Sequence, residues 1–284
     1  MAYETPLKIA DVIRDITNNK YVLPSIQREY VWSPEQIENL FDSLMRNYPI
    51  STFLFWKIEQ ENVDKFSFYS FIHNYHEKNN THNEKINLSG VGNVTAVLDG
   101  QQRLTSLYIG LKGTYAYRTR WKQKHKEESY PLRKLYLNLV EKSEESDSEY
   151  DFKFLSVDEA INDDKHFWFE VGKILDMPKI GDVSKYINKE VYKSEIDYTD
   201  KQDDFAMDTL TQLYQVIHCE GIISYYQENS AELDKVLNIF IRIKNYIKFF
   251  MELKINFCPL VAGIVDLHGN GVGLQLENEG CMKH

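Results

Sequence analysis

The chain has 284 residues, is 43% hydrophobic and 13% aromatic, and carries 33 basic against 43 acidic side chains, for a net charge of −10. That length holds about two domains of roughly 150 residues or one large one, and the apolar content excludes wholesale disorder. The acidic balance excludes a uniformly basic nucleic-acid coat but leaves room for a local basic patch. The three cysteines, Cys219, Cys258 and Cys281, show no CxxC or Cys/His ligand spacing, which argues against a disulfide framework and a structural zinc site. The start, Met1 to Pro6, lacks the basic and apolar regions of a leader, and no apolar run reaches the roughly 18 residues of a membrane span. The expectation is a soluble, cytoplasmic protein with no membrane partner.

Leu7 to Asn19 reads as a first helix, with Leu7, Ile9, Val12, Ile13 and Ile16 near the 3.6-residue period. Tyr21-Val22-Leu23 is β-prone and stops at Pro24. Ser33-Pro34-Glu35-Gln36 predicts a helix start, with Ser33 as N-cap, Pro34 at the first position and Gln36 closing a capping box. Ile37, Leu40, Phe41 and Leu44 should line its buried face, and it should end near Asn47-Tyr48-Pro49. Thr52 to Ile58 reads as a strand. Residues 60 to 90 are polar and hold His73, His76 and His82. Their spacing invites a metal reading, but no carboxylate-rich or Cys-rich context accompanies them, and Asn79 to Asn83 reads as loop.

Val94 to Leu98 is a second strand running into Asp99-Gly100-Gln101-Gln102-Arg103, after which Leu104, Leu107, Tyr108 and Leu111 repeat at helical spacing. Residues 112 to 134 hold eight cations (Lys112, Arg118, Arg120, Lys122, Lys124, Lys126, Arg133, Lys134) against Glu127 and Glu128. Leu135 to Val140 and Phe152 to Leu155 are short strands flanking an acidic, Ser-rich loop, and Phe167-Trp168-Phe169 is another apolar run. Helices are expected at Val183 to Asn188, Asp204 to Ile217 and Ala231 to Ile243, with a strand at Gly221 to Gln227. The fold class is α/β (α+β in detail): a small mixed sheet with flanking helices, then a mostly helical second half.

The Asp99 to Arg103 turn is the most informative stretch. A strand ending in Asp-Gly and entering a helix presents backbone N–H groups and the positive end of a helix dipole to an anion. Gly100 allows positive φ or close backbone approach. Arg103 can clamp a phosphate. Gln101 and Gln102 can hydrogen-bond a base or orient a water, and Asp99 can accept a proton or hold a divalent metal ion. The same residues also fit a structural turn, with Asp99 as a cap and the glutamines in a solvated first turn. Arg28, between a strand and a capped helix, suits phosphate binding, or an exposed ion pair beside core-packed Tyr30 and Trp32. Arg118, Arg120, Lys122 and Lys124 interleave with Trp121, as suits a nucleic-acid backbone and a stacked base, or a solvated basic loop. No phosphate-binding P-loop, dinucleotide glycine fingerprint or Gly-x-Ser-x-Gly elbow is present. Gly269 to Gly273 opens no visible helix and reads as loop.

Leu23 to Trp32 and Val97 to Leu107 together resemble the paired motifs of the GmrSD-type restriction endonuclease N-terminal domain, a family similar to the ParB/sulfiredoxin-like nuclease and NTPase fold. The resemblance covers residues 5 to 115 firmly and extends to about 243. It implies a phage-defence role in modification-dependent DNA restriction. It further implies binding and hydrolysis of a nucleoside triphosphate, GTP among the candidates, with Mg²⁺, and a separate HNH-type nuclease domain or partner protein. Gln27 and Arg28 match the family's first motif, and Asp99, Gly100, Gln101, Gln102 and Arg103 its second. On that reading Gln27, Arg28, Gly100 and Arg103 contact the nucleotide, Asp99 holds metal or orients water, and a glutamine positions the attacking water. Direct DNA nicking by the ParB-like domain and a non-catalytic nucleotide or modified-DNA sensor are the alternatives. A homo-oligomer is compatible with either. The expected division is a ParB-like motif domain at 1–115, a basic and acidic insert with a helical continuation at 116–243, and an atypical tail at 244–284. After Phe240-Ile241-Arg242-Ile243 the family pattern is lost, so the tail is expected to mark a truncated or frame-shifted member.

Overall fold

The computed structural model describes residues 2–25, 29–88 and 90–230, together with 232, 235, 236, 238, 239, 241 and 242. In chain order the elements begin with β1 (Ala2–Tyr3), β2 (Leu7–Lys8), α1 (Ile9–Thr17), β3 (Tyr21–Pro24), α2 (Pro34–Met45), β4 (Phe53–Ile58) and α3 (Gln60–Val63). Then come β5 (Phe68–Tyr69), β6 (Asn74–His76), β7 (Lys85–Ile86), β8 (Val94–Asp99), α4 (Gln101–Lys112) and β9 (Thr114–Ala116). The later elements are β10 (Leu132–Lys142), β11 (Tyr150–Leu155), β12 (Trp168–Glu170), α5 (Ile180–Tyr186), α6 (Asp200–Tyr214), β13 (Gly221–Ile223) and β14 (Tyr225–Glu228).

The main sheet runs β1-β14-β4-β8-β3-β5-β7 and mixes directions. β3 lies parallel to β8, β14 parallel to β4, and β4 antiparallel to β8. Successive side chains of a strand point to opposite faces, and here both faces are buried. Phe53, Phe55 and Val97 enter a large core with α1, α2 and α4. Leu54, Trp56, Ile58, Val94, Ala96 and Leu98 enter a smaller one with Val63, Phe68 and Leu88. The apolar run at 53–56 is therefore a strand covered on both sides.

The helices follow their patterns. α1 buries Ile9, Val12, Ile13 and Ile16, one stripe of the 3.6 period. At α2 both arms of the capping box form: Ser33 Oγ accepts from Gln36 N, and Gln36 Oε1 accepts from Ser33 N. α4 is buried along almost its whole length, flanked by α1, α2, β9, β10 and the turn at 171–176. α5 and α6 each continue into a single π turn, at Ile187–Val191 and Gln215–Cys219.

The second sheet, β11-β10-β9-β6 with β12 also on β10, leaves β11 at its edge. That edge is closed by α2. Glu38 Oε1 accepts from Phe154 N at 2.8 Å, and one turn later Asp42 Oδ1 accepts from Glu149 N and Tyr150 N at 2.9 and 2.8 Å. Arg46 donates to Asp147 O. Carboxylates at i and i+4 thus satisfy strand amides that would otherwise be open to pairing. The acidic loop before β11 is tied down by the same contacts.

Some expectations need adjusting. Leu7 and Lys8 pair with β13 and do not start the helix. The polar 60–90 stretch holds the short strands β5, β6 and β7. The single strand expected at 221–227 breaks at Ser224 into β13 and β14, because Ser224 N turns back to Ile222 O while Ser224 O accepts from Phe53 N. Of the helix expected at 231–243, positions 235, 236, 238, 239, 241 and 242 are helical, Glu232 is not, and the rest lies outside the described residues, as do Cys258, Cys281, the glycine-rich 269–273 run and the 244–284 tail.

Burial raises the Glu38 carboxyl from 4.5 to about 7. A folded value above the unfolded one means that the native state binds the extra proton between those limits, so stability falls as pH rises from about 4.5 to 7. Glu38→Gln keeps the acceptor for Phe154 and removes the titration. Its urea midpoint should stay flat across that window and exceed that of the wild type at pH 8; parallel pH profiles for the two proteins would refute this.

Candidate functional site

β8 delivers Asp99 at its last position, opposite Leu54 of β4. Gly100 follows with φ +89°, in the left-handed region. A Cβ at Gly100 would lie 2.1 Å from Phe53 Cδ1. Backbone conformation and close packing therefore both demand glycine here. Gly100 is also the N-cap of α4, and no side chain caps the helix. The turn thus matches the strand-to-helix arrangement expected from the sequence, with Gly100 rather than Asp99 in the cap position.

Arg103 is placed differently from a solvent-facing phosphate clamp. It is 5% exposed. Its guanidinium donates to Ile50 O, to Thr52 O at 3.0 Å and to Asp99 Oδ2 at 3.4 Å, and its Cζ lies 4.3 Å over the Phe53 ring. Burial pushes its pKa down from the ordinary value, and the Asp99 carboxylate pulls it back. The buried cation is paired, hydrogen-bonded and stacked at once.

Gln102 joins the two motifs. Its Nε2 donates to Glu29 O at 2.9 Å and its Oε1 accepts from Val31 N at 3.1 Å. Both ends of the carboxamide grip the extended backbone at 29–31 as a neighbouring strand would. Tyr30 turns inward and its hydroxyl meets Ser106 Oγ at 2.8 Å, one turn further along α4. Tyr115 Oη donates to Trp32 O at 2.9 Å. The first motif is docked on the first turns of α4 by side-chain bonds spanning more than 70 residues of sequence. Gln27 and Arg28 lie outside the described residues. Sequence reading paired the motifs but missed Ser106 and Tyr115, which carry no chemical signal beyond being polar on an apolar helix and strand.

Asp99 remains about one-third exposed at the side chain, and its Oδ2 faces Arg103. Gln101 is 9% exposed. No three His, Cys, Asp or Glu side chains converge among the described residues. Asp99 can supply one oxygen ligand, which is enough for Mg²⁺ when substrate phosphates and water complete its shell. The histidines have local roles. His76 Nδ1 accepts from Lys78 N and Asn79 N, His73 packs on Tyr108, and His82 Nδ1 lies 3.0 Å from Glu29 Oε1.

The basic stretch divides in two. Arg133 is 3% exposed and structural. It pairs with both oxygens of Glu159 at 3.0 and 3.2 Å, donates to Tyr117 O and Thr119 Oγ1, and stacks 4.1 Å over Tyr117. Lys134 pairs with Glu170. Arg118, Arg120, Lys122 and Lys124 instead stand on an exposed loop.

The chain matches the family model described as the GmrSD restriction endonuclease N-terminal domain over residues 9–246. It is also similar to an uncharacterised protein of Methanocaldococcus jannaschii, 35% identical over 103 residues, which are 36% of this chain and 16% of that protein. The chain therefore spans about a sixth of the length of the curated relative it matches.

Two substitutions separate shape from docking. Gly100→Ala should lose roughly 2–4 kcal/mol of unfolding free energy, from the left-handed backbone and from displacement of Phe53. A urea midpoint within error of wild type would contradict that. Gln102→Ala should change global stability by no more than about 1 kcal/mol, yet speed amide exchange at Val31 roughly 5- to 10-fold. Unchanged exchange at Val31 would show that the clasp is not what holds the segment.

Proposed function

The chain belongs to the GmrSD restriction endonuclease N-terminal domain family, and from that premise we propose that it is the nucleotide-binding and -hydrolysing module of a phage-defence DNA restriction system. The observation that carries this reading is the Gln102 clasp, which holds the first motif against the N-terminal turn of α4. Arg28 precedes Glu29, whose carbonyl Gln102 holds at the first turn of α4, and on this reading it supplies the cation for an anion-favouring helix end.

The roles divide by accessibility. Arg28 and Gln27 meet the phosphates, together with the backbone at Gly100. Asp99, the accessible carboxylate, offers an oxygen to Mg²⁺ and an acceptor to the attacking water. Mg²⁺, when bound, would neutralise phosphate charge. Gln102 is engaged with backbone at both ends, so orientation of the water falls to Asp99 and Gln101. Arg103 acts through position: it fixes the Asp99 carboxylate and the loop before β4. Water attacks the terminal phosphorus, the bond to the leaving diphosphate breaks, and Asp99 accepts the water proton. DNA scission falls to an HNH-type nuclease domain or partner that the module controls.

Phosphate release with each of the four nucleoside triphosphates, with and without DNA and Mg²⁺, tests this. Asp99→Asn keeps an acceptor for Arg103 and the volume of the side chain, and should lower release by roughly 10²-fold or more. Arg28→Ala should raise the nucleotide concentration needed. Arg103→Ala is the wrong probe, because it would empty a buried site and unfold the turn. Wild-type turnover in Asp99→Asn would overturn the assignment. Nucleotide binding without phosphate release by the wild type would leave a sensor.

A further inference from the structure

The loop at 118–126 is not explained by the nucleotide turn. Arg118, Arg120, Lys122, Lys124 and Lys126 are exposed, and none of their side chains forms an ion pair with a described residue. The first acid that follows is engaged elsewhere. Glu127 is turned to Lys78 Nζ at 3.2 Å and Asn79 Nδ2 at 3.1 Å. On a chain of net charge −10 this is a concentrated positive strip.

At its centre Trp121 is 98% exposed and holds φ +68°. An indole in water and a bulky residue in the left-handed region are both unfavourable. The loop is nevertheless built to present it. Thr119 N donates to Ser129 O, buried Ser129 Oγ donates to Gln123 O at 2.7 Å, and Tyr130 Oη donates to Lys124 O at 3.1 Å. Arg133 secures the loop's root at Tyr117 and Thr119. Buried side chains therefore fix the backbone from which a flat apolar ring and five cations project.

We propose that this loop is a DNA contact in which Arg118, Arg120, Lys122 and Lys124 hold phosphates and Trp121 stacks on an unpaired base. Cations on either side of an exposed aromatic ring are what a strand with unstacked bases needs: charge for the backbone and a π face for the base. The choice of DNA over other polyanions rests on the restriction reading above. The unpaired base comes either from a single strand or from an extrahelical position in a duplex.

The test is fluorescence anisotropy of the full chain with labelled oligonucleotides: a single strand, a fully paired duplex and a duplex with one extrahelical base. Affinity should fall with salt, and replacing Arg118, Arg120, Lys122 and Lys124 together with Ala should lower the salt slope by about 2–3. Trp121→Ala should weaken the single strand or the extrahelical duplex roughly tenfold or more while keeping the slope, and Trp121→Phe should recover part of the loss. Base stacking should quench indole fluorescence in the wild type and not in Trp121→Phe. Wild-type affinity of Trp121→Ala for the single strand and the extrahelical duplex, or displacement of DNA by polyglutamate at equal charge concentration, would overturn the proposal. So would tighter binding of an RNA strand. Phosphate release by the wild type, run alongside, separates the two readings. A chain that hydrolyses nucleotide but binds no oligonucleotide loses the loop proposal alone. One that binds through the loop but releases no phosphate loses the nucleotide reading alone.

Discussion

A single buried guanidinium organises the region on which the rest depends. Removing Arg103 from water would be unfavourable by several kcal/mol if it stood alone. It does not: two backbone carbonyls, a carboxylate and an aromatic face surround it. The partners come from two pieces of chain, the 50–53 entry to β4 and the end of β8. Ile50 and Thr52 flank Ser51, whose φ of +67° bends the entry to β4. Phe53 opens β4 and pairs with Tyr225 of β14. Asp99 closes β8. The strain at Ser51, the register of three strands and the start of α4 are thus fixed by one planar group. Lysine could not substitute, because a point cation cannot reach several acceptors in one plane.

This division of labour changes how the five-residue turn should be understood. Its residue types all suggest chemistry: an acid, two amides, a cation and a flexible glycine. In the fold, Gly100 supplies shape, Arg103 holds β4 to β8, and Gln102 holds the first motif to the second. Asp99 keeps about a third of its side chain open to solvent and holds no backbone group among the described residues. A motif can be specific because its members cooperate in building a site, with few of them touching the substrate.

Local features were legible in the sequence and long-range ones were not. Ser33-Pro34-Glu35-Gln36 announced its helix because both capping bonds lie within four residues. Asp99-Gly100 announced a strand-to-helix turn for the same reason. Glu38 and Asp42, by contrast, look like solvated acids on a helix, and their partners are amides more than 100 residues away. Arg133 looks like its basic neighbours in the sequence, and what distinguishes it are long-range contacts, above all the bidentate pair with Glu159. The split at Ser224 was hidden because Gly221 to Gln227 is evenly β-prone, and what breaks it is Phe53 taking the Ser224 carbonyl.

The two proposed sites are linked by continuous packing. Tyr30, docked on α4, stacks edge-on with Tyr75 at 5.6 Å, Tyr75 packs on Tyr115 at 4.6 Å, and Tyr115 meets Tyr117 at 6.1 Å. Tyr117 lies beneath Arg133, which anchors the root of the 118–126 loop. Tyr115 is also bonded to Trp32 O, so it senses the first motif twice. A shift of the 29–32 segment on nucleotide binding would reach Tyr115 through Trp32 O and through Tyr75, and from Tyr115 the base on which the loop stands. That route becomes a switch only if the Tyr30–Ser106 and Gln102 bonds have a second arrangement to occupy, which makes the docking of the first motif, rather than the loop itself, the element on which coupling between nucleotide and DNA would turn.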